Sequence, residues 1–292
     1  MDHYLQILTL FPVEFANLLA AIQETGERVE EIRVRLGEPL RIKTAFGERE
    51  LCSEKKITEE DLEYILRSAT SGSFHAFEET IQKGYIPLEG GGRLGLCGQG
   101  IQSAGKLQTL RNISSLCIRI PHEMIGCADG VLGALFEGGY FPDTLVISPP
   151  GIGKTTLLRE MVRALSQRGY RVALADERGE IAGMCKGRPQ YQIGAQTDVL
   201  SNINKCEAGI MLLRTMAPDI LAMDEITAAA DMPAILEAAG CGVALLSTVH
   251  GRDPADLKRK PLFADLLTCG IFEKAVCIEL RAGKRIYRVV DL

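Results

Sequence analysis

Two hydrophobic rhythms divide this chain near residue 143. Ahead of that point apolar positions alternate with polar ones. Ile32-Arg33-Val34-Arg35-Leu36 has the period of a half-exposed strand, and after Gly37 the period resumes in Leu40-Arg41-Ile42-Lys43. Thr58 and Asp61 have the spacing of a capping box. Leu62, Ile65, Leu66 and Ala69 then form a helical stripe that Gly72 ends. Another helix is expected over residues 74–83. A glycine-rich stretch runs from Gly90 to Gly98, and 107–111 and 116–120 read as two strands of a small antiparallel sheet. Leu5, Leu8, Phe15, Leu18, Leu19 and Ile22 recur at roughly helical spacing, the pattern of a helical segment packed on the domain.

From Asp143 onward short apolar runs alternate with amphipathic ones. Strands are expected at 144–148, 171–175, 220–223, 243–248 and 275–280, with 285–290 closing the end. Helices are expected at 155–167, 206–216 and 228–239. Continuous apolar strands separated by helices require a mostly parallel sheet covered on both faces. The fold class expected is α/β. A domain over 143–292 carries that sheet, a smaller α+β N-terminal domain spans 1–120, and a connector at 121–142 has one short helix near 131–136.

Ligands of such sheets sit beyond the carboxyl ends of the strands. Four polar clusters fall there: Ser148 to Thr155, Asp176-Glu177, Asp224-Glu225 and Thr248 to His250. The first reads Ser148-Pro149-Pro150-Gly151-Ile152-Gly153-Lys154-Thr155-Thr156. Gly151 and Gly153 let backbone amides curl around an anion at the start of a helix. Lys154 brings charge to β/γ-phosphates, and the Thr155 hydroxyl can ligate Mg²⁺. Pro150 to Thr156 therefore form the expected nucleotide-binding segment, although Ser148 stands where the strict loop pattern has its first glycine. Asp224 is the expected metal partner, with Thr155. Glu225 is the first candidate to orient water, and Glu177 is the rival base. His250, at the same rim, is read as a sensor of the γ-phosphate. His3, His75 and His122 have no such context. These residues imply a nucleoside triphosphate site.

Composition narrows the classes. The net charge is −5, with no tryptophan and 5% aromatic residues. That argues against a protein coating nucleic acid by bulk charge or stacking. Residues 1–142 carry 14 basic and 20 acidic side chains, and residues 143–292 carry 19 and 18, so the acidic excess belongs to the N-terminal half. No apolar run approaches the roughly 20 residues of a membrane span, and the first 21 residues lack a basic leader. The nine cysteines show no C-x₂-C pair and read as small core residues of a reducing compartment.

The C-terminal half resembles the secretion-ATPase branch of the RecA-like P-loop proteins. Three stretches carry the likeness: Leu213-Arg214-Thr215-Met216-Ala217-Pro218-Asp219-Ile220 leading into Asp224-Glu225, Ala238-Ala239-Gly240 with Leu246-Ser247-Thr248-Val249-His250, and Asp176-Glu177-Arg178-Gly179-Glu180. Within that branch the chain is similar to a sporulation family of endospore formers. Glu30 to Gly37, Gly92 to Gly98, Arg111 to Ser115 and Ile118 to Pro121 carry that similarity. The resemblance implies ATP hydrolysis with Mg²⁺ and a homo-hexameric ring. It also implies a cytoplasmic place in the mother cell, held peripherally at the membrane by an embedded channel complex; that no nucleic acid is a partner is the expectation from charge and aromatic content above. In such rings an arginine of the N-terminal domain or a neighbour reaches the γ-phosphate, and Arg93, Arg111 and Arg119 are candidates. The branch has glycine where Asp224 stands, so the base stays open between Glu225 and Glu177. Two other readings stand beside this one: a nucleic-acid motor on the same core, and a nucleotide-dependent assembly module without hydrolysis.

Overall fold

The computed structural model describes residues 3–103, 105–121, 123–281 and 284–292. It divides into two compact units, Met1–His122 with Cys185–Gln190, and Glu123–Met184 with Tyr191–Leu292. His122 lies outside the described residues, as does the side chain of His3. His75 is exposed and pairs with Glu78.

The first unit contains α1 (His3–Leu8), α2 (Val13–Glu24), β1 (Val29–Arg35), β2 (Arg41–Thr44), β3 (Gly47–Glu50), α3 (Glu59–Thr70), α4 (Glu78–Gln82), β4 (Tyr85–Pro87), β5 (Arg93–Ser103) and β6 (Lys106–Arg119). Its strands form an antiparallel sheet in the order β3-β2-β1-β6-β5-β4. Alternation along β1 buries Ile32 and Val34 against Phe15, Leu19 and Ile65. The Thr58–Asp61 capping box opens α3 as expected. The left-handed residue at its end is Ser71, followed by Gly72 at φ 78°. The helix expected over 74–83 is split, with a 3₁₀ turn at Phe74–Phe77 ahead of α4. Phe77 there leaves helical dihedrals, with φ −117° and ψ 13°.

The two strands expected at 107–111 and 116–120 are one, β6. Its polar centre is a bulge: the register with β5 shifts between Cys97 and Gln99, and Asn112 takes φ 47° while its amide donates to Gln99. Gly98 faces that bulge so closely that a Cβ would lie 2.7 Å from the Arg111 carbonyl oxygen.

The second unit contains α5 (Asp129–Leu135), β7 (Thr144–Ser148), α6 (Lys154–Gln167), β8 (Val172–Asp176), β9 (Thr197–Ser201), α7 (Lys205–Met216), β10 (Ile220–Glu225), α8 (Met232–Cys241), β11 (Ala244–His250), α9 (Pro254–Leu257), α10 (Pro261–Thr268), β12 (Lys274–Arg281) and β13 (Lys284–Asp291). The strand order is β13-β12-β7-β11-β10-β8-β9, parallel throughout except for β13. Successive residues of β7 feed opposite cores. Val146 packs with Leu157, Leu158 and Met161 of α6, while Leu145 and Ile147 join Leu212, Ile235 and Leu266 from α7, α8 and α10. Val131, Leu132 and Leu135 of α5 enter the core on the α6 side.

The sheet order places β11 between the strand that feeds the glycine loop and the strand that carries Asp224-Glu225. Among the described residues no helix is long and apolar enough to cross a membrane. The expectation that the cysteines fill cores is corrected: Cys277 is buried, but Cys97, Cys241 and Cys269 are exposed. Cys97 lies where β5 runs beyond the core, and Cys241 is the last residue of α8.

Candidate nucleotide site

The loop after β7 is shaped by its own residues. Pro149 and Pro150 lack the amide that would continue the ladder, and Gly151 and Gly153 take φ 77° and 106°. Helix α6 then begins at Lys154, with no acidic residue in its first turn to compensate its positive end. Ser148 is the last residue of β7, fully buried, and its hydroxyl donates to the Pro149 carbonyl at 2.9 Å. Its φ is not positive, so this position makes no conformational demand for the missing glycine.

Three of the expected functional side chains meet at the loop. Lys154 Nζ lies 3.1 Å from Glu225 Oε2 and 3.2 Å from His250 Nδ1, and His250 Nε2 lies 2.9 Å from Glu225 Oε1. The ammonium can only donate, so it selects the imidazole tautomer whose Nδ1 accepts and whose Nε2–H donates to Glu225. The arrangement is sheltered at its base and open at its rim: Lys154 and Glu225 side chains are 7% and 13% exposed, His250 40%. Burial pushes the Lys154 ammonium below its usual range, and Glu225 opposes that shift.

Asp224 precedes this cluster on β10 and is almost fully buried. Burial raises its carboxyl above the usual aspartate range, partly opposed by a backbone amide bond at Glu225, and the nearby Asp176 charge adds to the rise. A divalent cation relieves that cost. Mg²⁺ takes oxygen ligands, typically one or two protein oxygens with substrate phosphates. The Thr155 hydroxyl and the Asp224 carboxylate are such donors, so the residues fit the ion.

The acidic stretch at the end of β8 is arranged differently. Asp176 is fully buried and accepts the amides of Glu180, Ile181 and Ala182, which fixes the following loop. Burial raises its carboxyl despite those bonds. Glu177 pairs with Lys205 Nζ at 3.0 Å and makes no ion pair with Lys154 or His250. Lys205 is buried and also reaches Asp231 at 3.4 Å and the Thr227 hydroxyl at 3.5 Å.

Sequence reading missed Lys205, Asp231 and Arg285. Arg285 on β13 donates from Nε to the Ile152 carbonyl at 2.7 Å. Asp231 caps Thr227 and Ala228, a local pattern the sequence does display. Of the candidate arginines, Arg93 opens β5 in the first unit with its guanidinium 5.0 Å from the Tyr85 ring centre. Arg111 is exposed on β6 opposite Gln99, and Arg119 lies 3.5 Å from Glu31.

A model of the family described as Sporulation stage III, protein AA matches residues 1–289. The chain is 36% identical to the stage III sporulation protein AA of Bacillus subtilis over 263 residues, covering 88% of this chain and 84% of that protein. Among solved structures, the pilus retraction motor PilT with bound ADP matches with a TM-score of 0.63 at 15% identity, over 94% of this chain and 82% of that one. The Legionella pneumophila ATPase DotB matches with a TM-score of 0.60 at 15% identity, over 96% and 80%. At that identity these likenesses show the fold, an α/β fold of the P-loop type.

Proposed function

The chain belongs to the sporulation stage III protein AA family, and from that membership and the site geometry we propose that it is an ATP-hydrolysing motor. The observation that carries the reading is the junction of Lys154, Glu225 and His250 at the mouth of a glycine loop, beside the buried Asp224. Bound ATP gives Lys154 a stronger counter-charge than Glu225, so the lysine turns to the β/γ-phosphates and the carboxylate is released. Glu225 then accepts the proton of a water whose oxygen forms the new bond to the γ-phosphorus, while the β–γ bridging oxygen departs with ADP. His250 holds Glu225 through Nε2 and registers the move of Lys154 through Nδ1. Mg²⁺, held by Thr155 and Asp224, supplies charge neutralisation at the phosphates when bound.

Glu177 has a partner of its own in Lys205, which supports Glu225 as the base. The relatives' names, a sporulation protein, a retraction motor and an ATPase, support a RecA-like motor acting in sporulation. The working form we propose is a homo-hexameric ring in the mother-cell cytoplasm, docked on a membrane-embedded channel complex. In that ring Arg93 or Arg111 supplies an added cation to the γ-phosphate of a neighbouring copy.

The test combines calorimetry, mass and phosphate release across protein concentration, with Lys154→Ala as control. Magnesium-dependent ATP uptake with turnover that rises on assembly is expected, and Lys154→Ala abolishes turnover. Uptake without turnover at any concentration would leave an assembly module in its place. No uptake of ATP or GTP at millimolar concentration removes the nucleotide reading.

A further inference from the structure

The glycine loop is bordered by a second cation, which approaches from the other side of β7. Arg285 lies on β13, opposite Leu280 of β12, and reaches over the loop to the Ile152 carbonyl. Its guanidinium fills the space where a side chain at residue 153 would begin. A Cβ built on Gly153 would stand 2.9 Å from Arg285 Nε and 3.0 Å from Cζ. Arg285 makes no ion pair with a described carboxylate, and its terminal nitrogens make no hydrogen bond to described residues. With α6 bare of acids in its first turn, Arg285 adds uncompensated positive charge to a row of loop amides.

The sheet order decides which part of a nucleotide this cation meets. From β7, the strands β11 and β10 with His250 and Glu225 lie to one side, and β12 and β13 with Arg285 lie to the other. Arg285 therefore approaches the loop from the side away from the groups assigned to the attacking water. Building on the nucleotide reading above, we propose that Arg285 is a phosphate-binding residue supplied by the same chain, contacting a phosphate that ADP retains. On binding, Nε exchanges the Ile152 carbonyl for a phosphate oxygen, and the planar fork offers the remaining nitrogens to the same group. A contact made equally to ATP and ADP is uniform binding. It lowers KM without raising kcat.

The experiment titrates wild type, Arg285→Ala and Arg285→Lys with Mg·ADP, Mg·ATP and magnesium pyrophosphate, and measures steady-state turnover. Arg285→Ala is expected to weaken ADP and ATP by the same factor, about 10- to 100-fold, the worth of one hydrogen bond to a charged group. Pyrophosphate weakens in parallel, KM rises, and kcat at saturating ATP stays within about two-fold. Arg285→Lys restores part of the affinity because charge is kept and the fork is lost. Thermal melting of the free proteins checks folding, and if the alanine variant does not fold the lysine variant carries the comparison. Unchanged ADP affinity in a folded variant overturns the proposal. So does a fall in kcat at unchanged KM, which places Arg285 at the γ-phosphate, or a loss confined to ADP with pyrophosphate unaffected. Wild type that binds no nucleotide removes the parent reading together with this one, whereas binding by wild type and Arg285→Ala alike removes this one alone.

Discussion

Replacing Glu225 by glutamine separates the resting ion pair this carboxylate makes from the role as base proposed for it in the nucleotide-bound protein. In the free protein it neutralises Lys154 at 3.1 Å inside a site where both side chains are mostly covered. At an effective dielectric of about 20 the Coulomb attraction at that distance is on the order of 5 kcal/mol. Much of it is offset by the desolvation both ions have already undergone, and removing one partner of a buried pair costs roughly 3–5 kcal/mol. The cost here falls lower, about 1–3 kcal/mol, because His250 Nδ1 still accepts from Lys154 and the rim is open. The free Glu225→Gln protein should therefore melt about 2–8 °C below wild type. In the presence of Mg·ATP the order changes. Lys154 no longer has to leave an anionic partner, so ATP binds up to about ten-fold more tightly, while turnover falls by about 10²–10⁴ with the loss of the base. Thermal melts with and without Mg·ATP, calorimetry and phosphate release read all three effects. A free variant as stable as wild type that also hydrolyses ATP at a comparable rate would refute both the resting pair and the assignment of the base.

Asp224→Asn should stabilise the free protein by about 1 kcal/mol at neutral pH while removing the magnesium dependence of nucleotide binding, since functional carboxylates are held at the expense of stability. The Asp224 carboxyl is raised from the ordinary 3.8 by burial, so wild type loses stability as pH rises through the folded value, and the advantage of the asparagine variant should grow from acid to neutral pH; a constant advantage in urea melts at pH 3 and pH 7 contradicts this. Lys205→Met strands Glu177 and Asp231 together and should cost about 3 kcal/mol, whereas Glu177→Gln, on the more exposed side of the pair, should cost under about 1 kcal/mol. Equal costs in denaturant unfolding would count against that account. Gly98→Ala drives a methyl against the Arg111 carbonyl oxygen and should destabilise the first unit by about 1–3 kcal/mol, read by urea unfolding followed through hydrogen exchange of β5 and β6 amides.

What could be read in the sequence followed burial. The strands β7, β8, β10, β11 and β12 are continuous apolar runs, and each lies within two residues of where hydrophobicity places it. The polar clusters at the ends of β7, β8, β10 and β11 come to one rim because parallel strands all end on the same side. Elements without an apolar signal were invisible. β3 is Gly47-Glu48-Arg49-Glu50, exposed along its length, and β9 is an edge strand with Asp198 at its exposed position. β6 looked broken because Asn112, Ser114 and Ser115 interrupt its apolar alternation, and only its partner strand reveals a bulge there. Of the candidate site, the residues on the loop and at the strand ends were legible, and Lys154, Glu225 and His250 among them come together. Lys205 and Arg285 were not legible, for a shared reason. A lysine at a helix start and an arginine in a terminal hairpin have ordinary local surroundings, and their partners, Glu177 with Asp231 and Ile152, are distant in sequence.

The placement of β11 has a mechanical corollary. The glycine loop and the strand that bears the acids are not adjacent, so His250, in contact with both Lys154 and Glu225, serves as the mortise between them. Beyond it the Lys260 amine grips the His250 carbonyl at 3.0 Å, and Gly251 lies so close to Leu257 that a methyl there would approach within 2.6 Å. In the proposed mechanism, a pull on the imidazole at the γ-phosphate passes through these contacts to the α9–α10 segment, whose Leu257, Phe263 and Leu266 pack in the core on the face opposite α6.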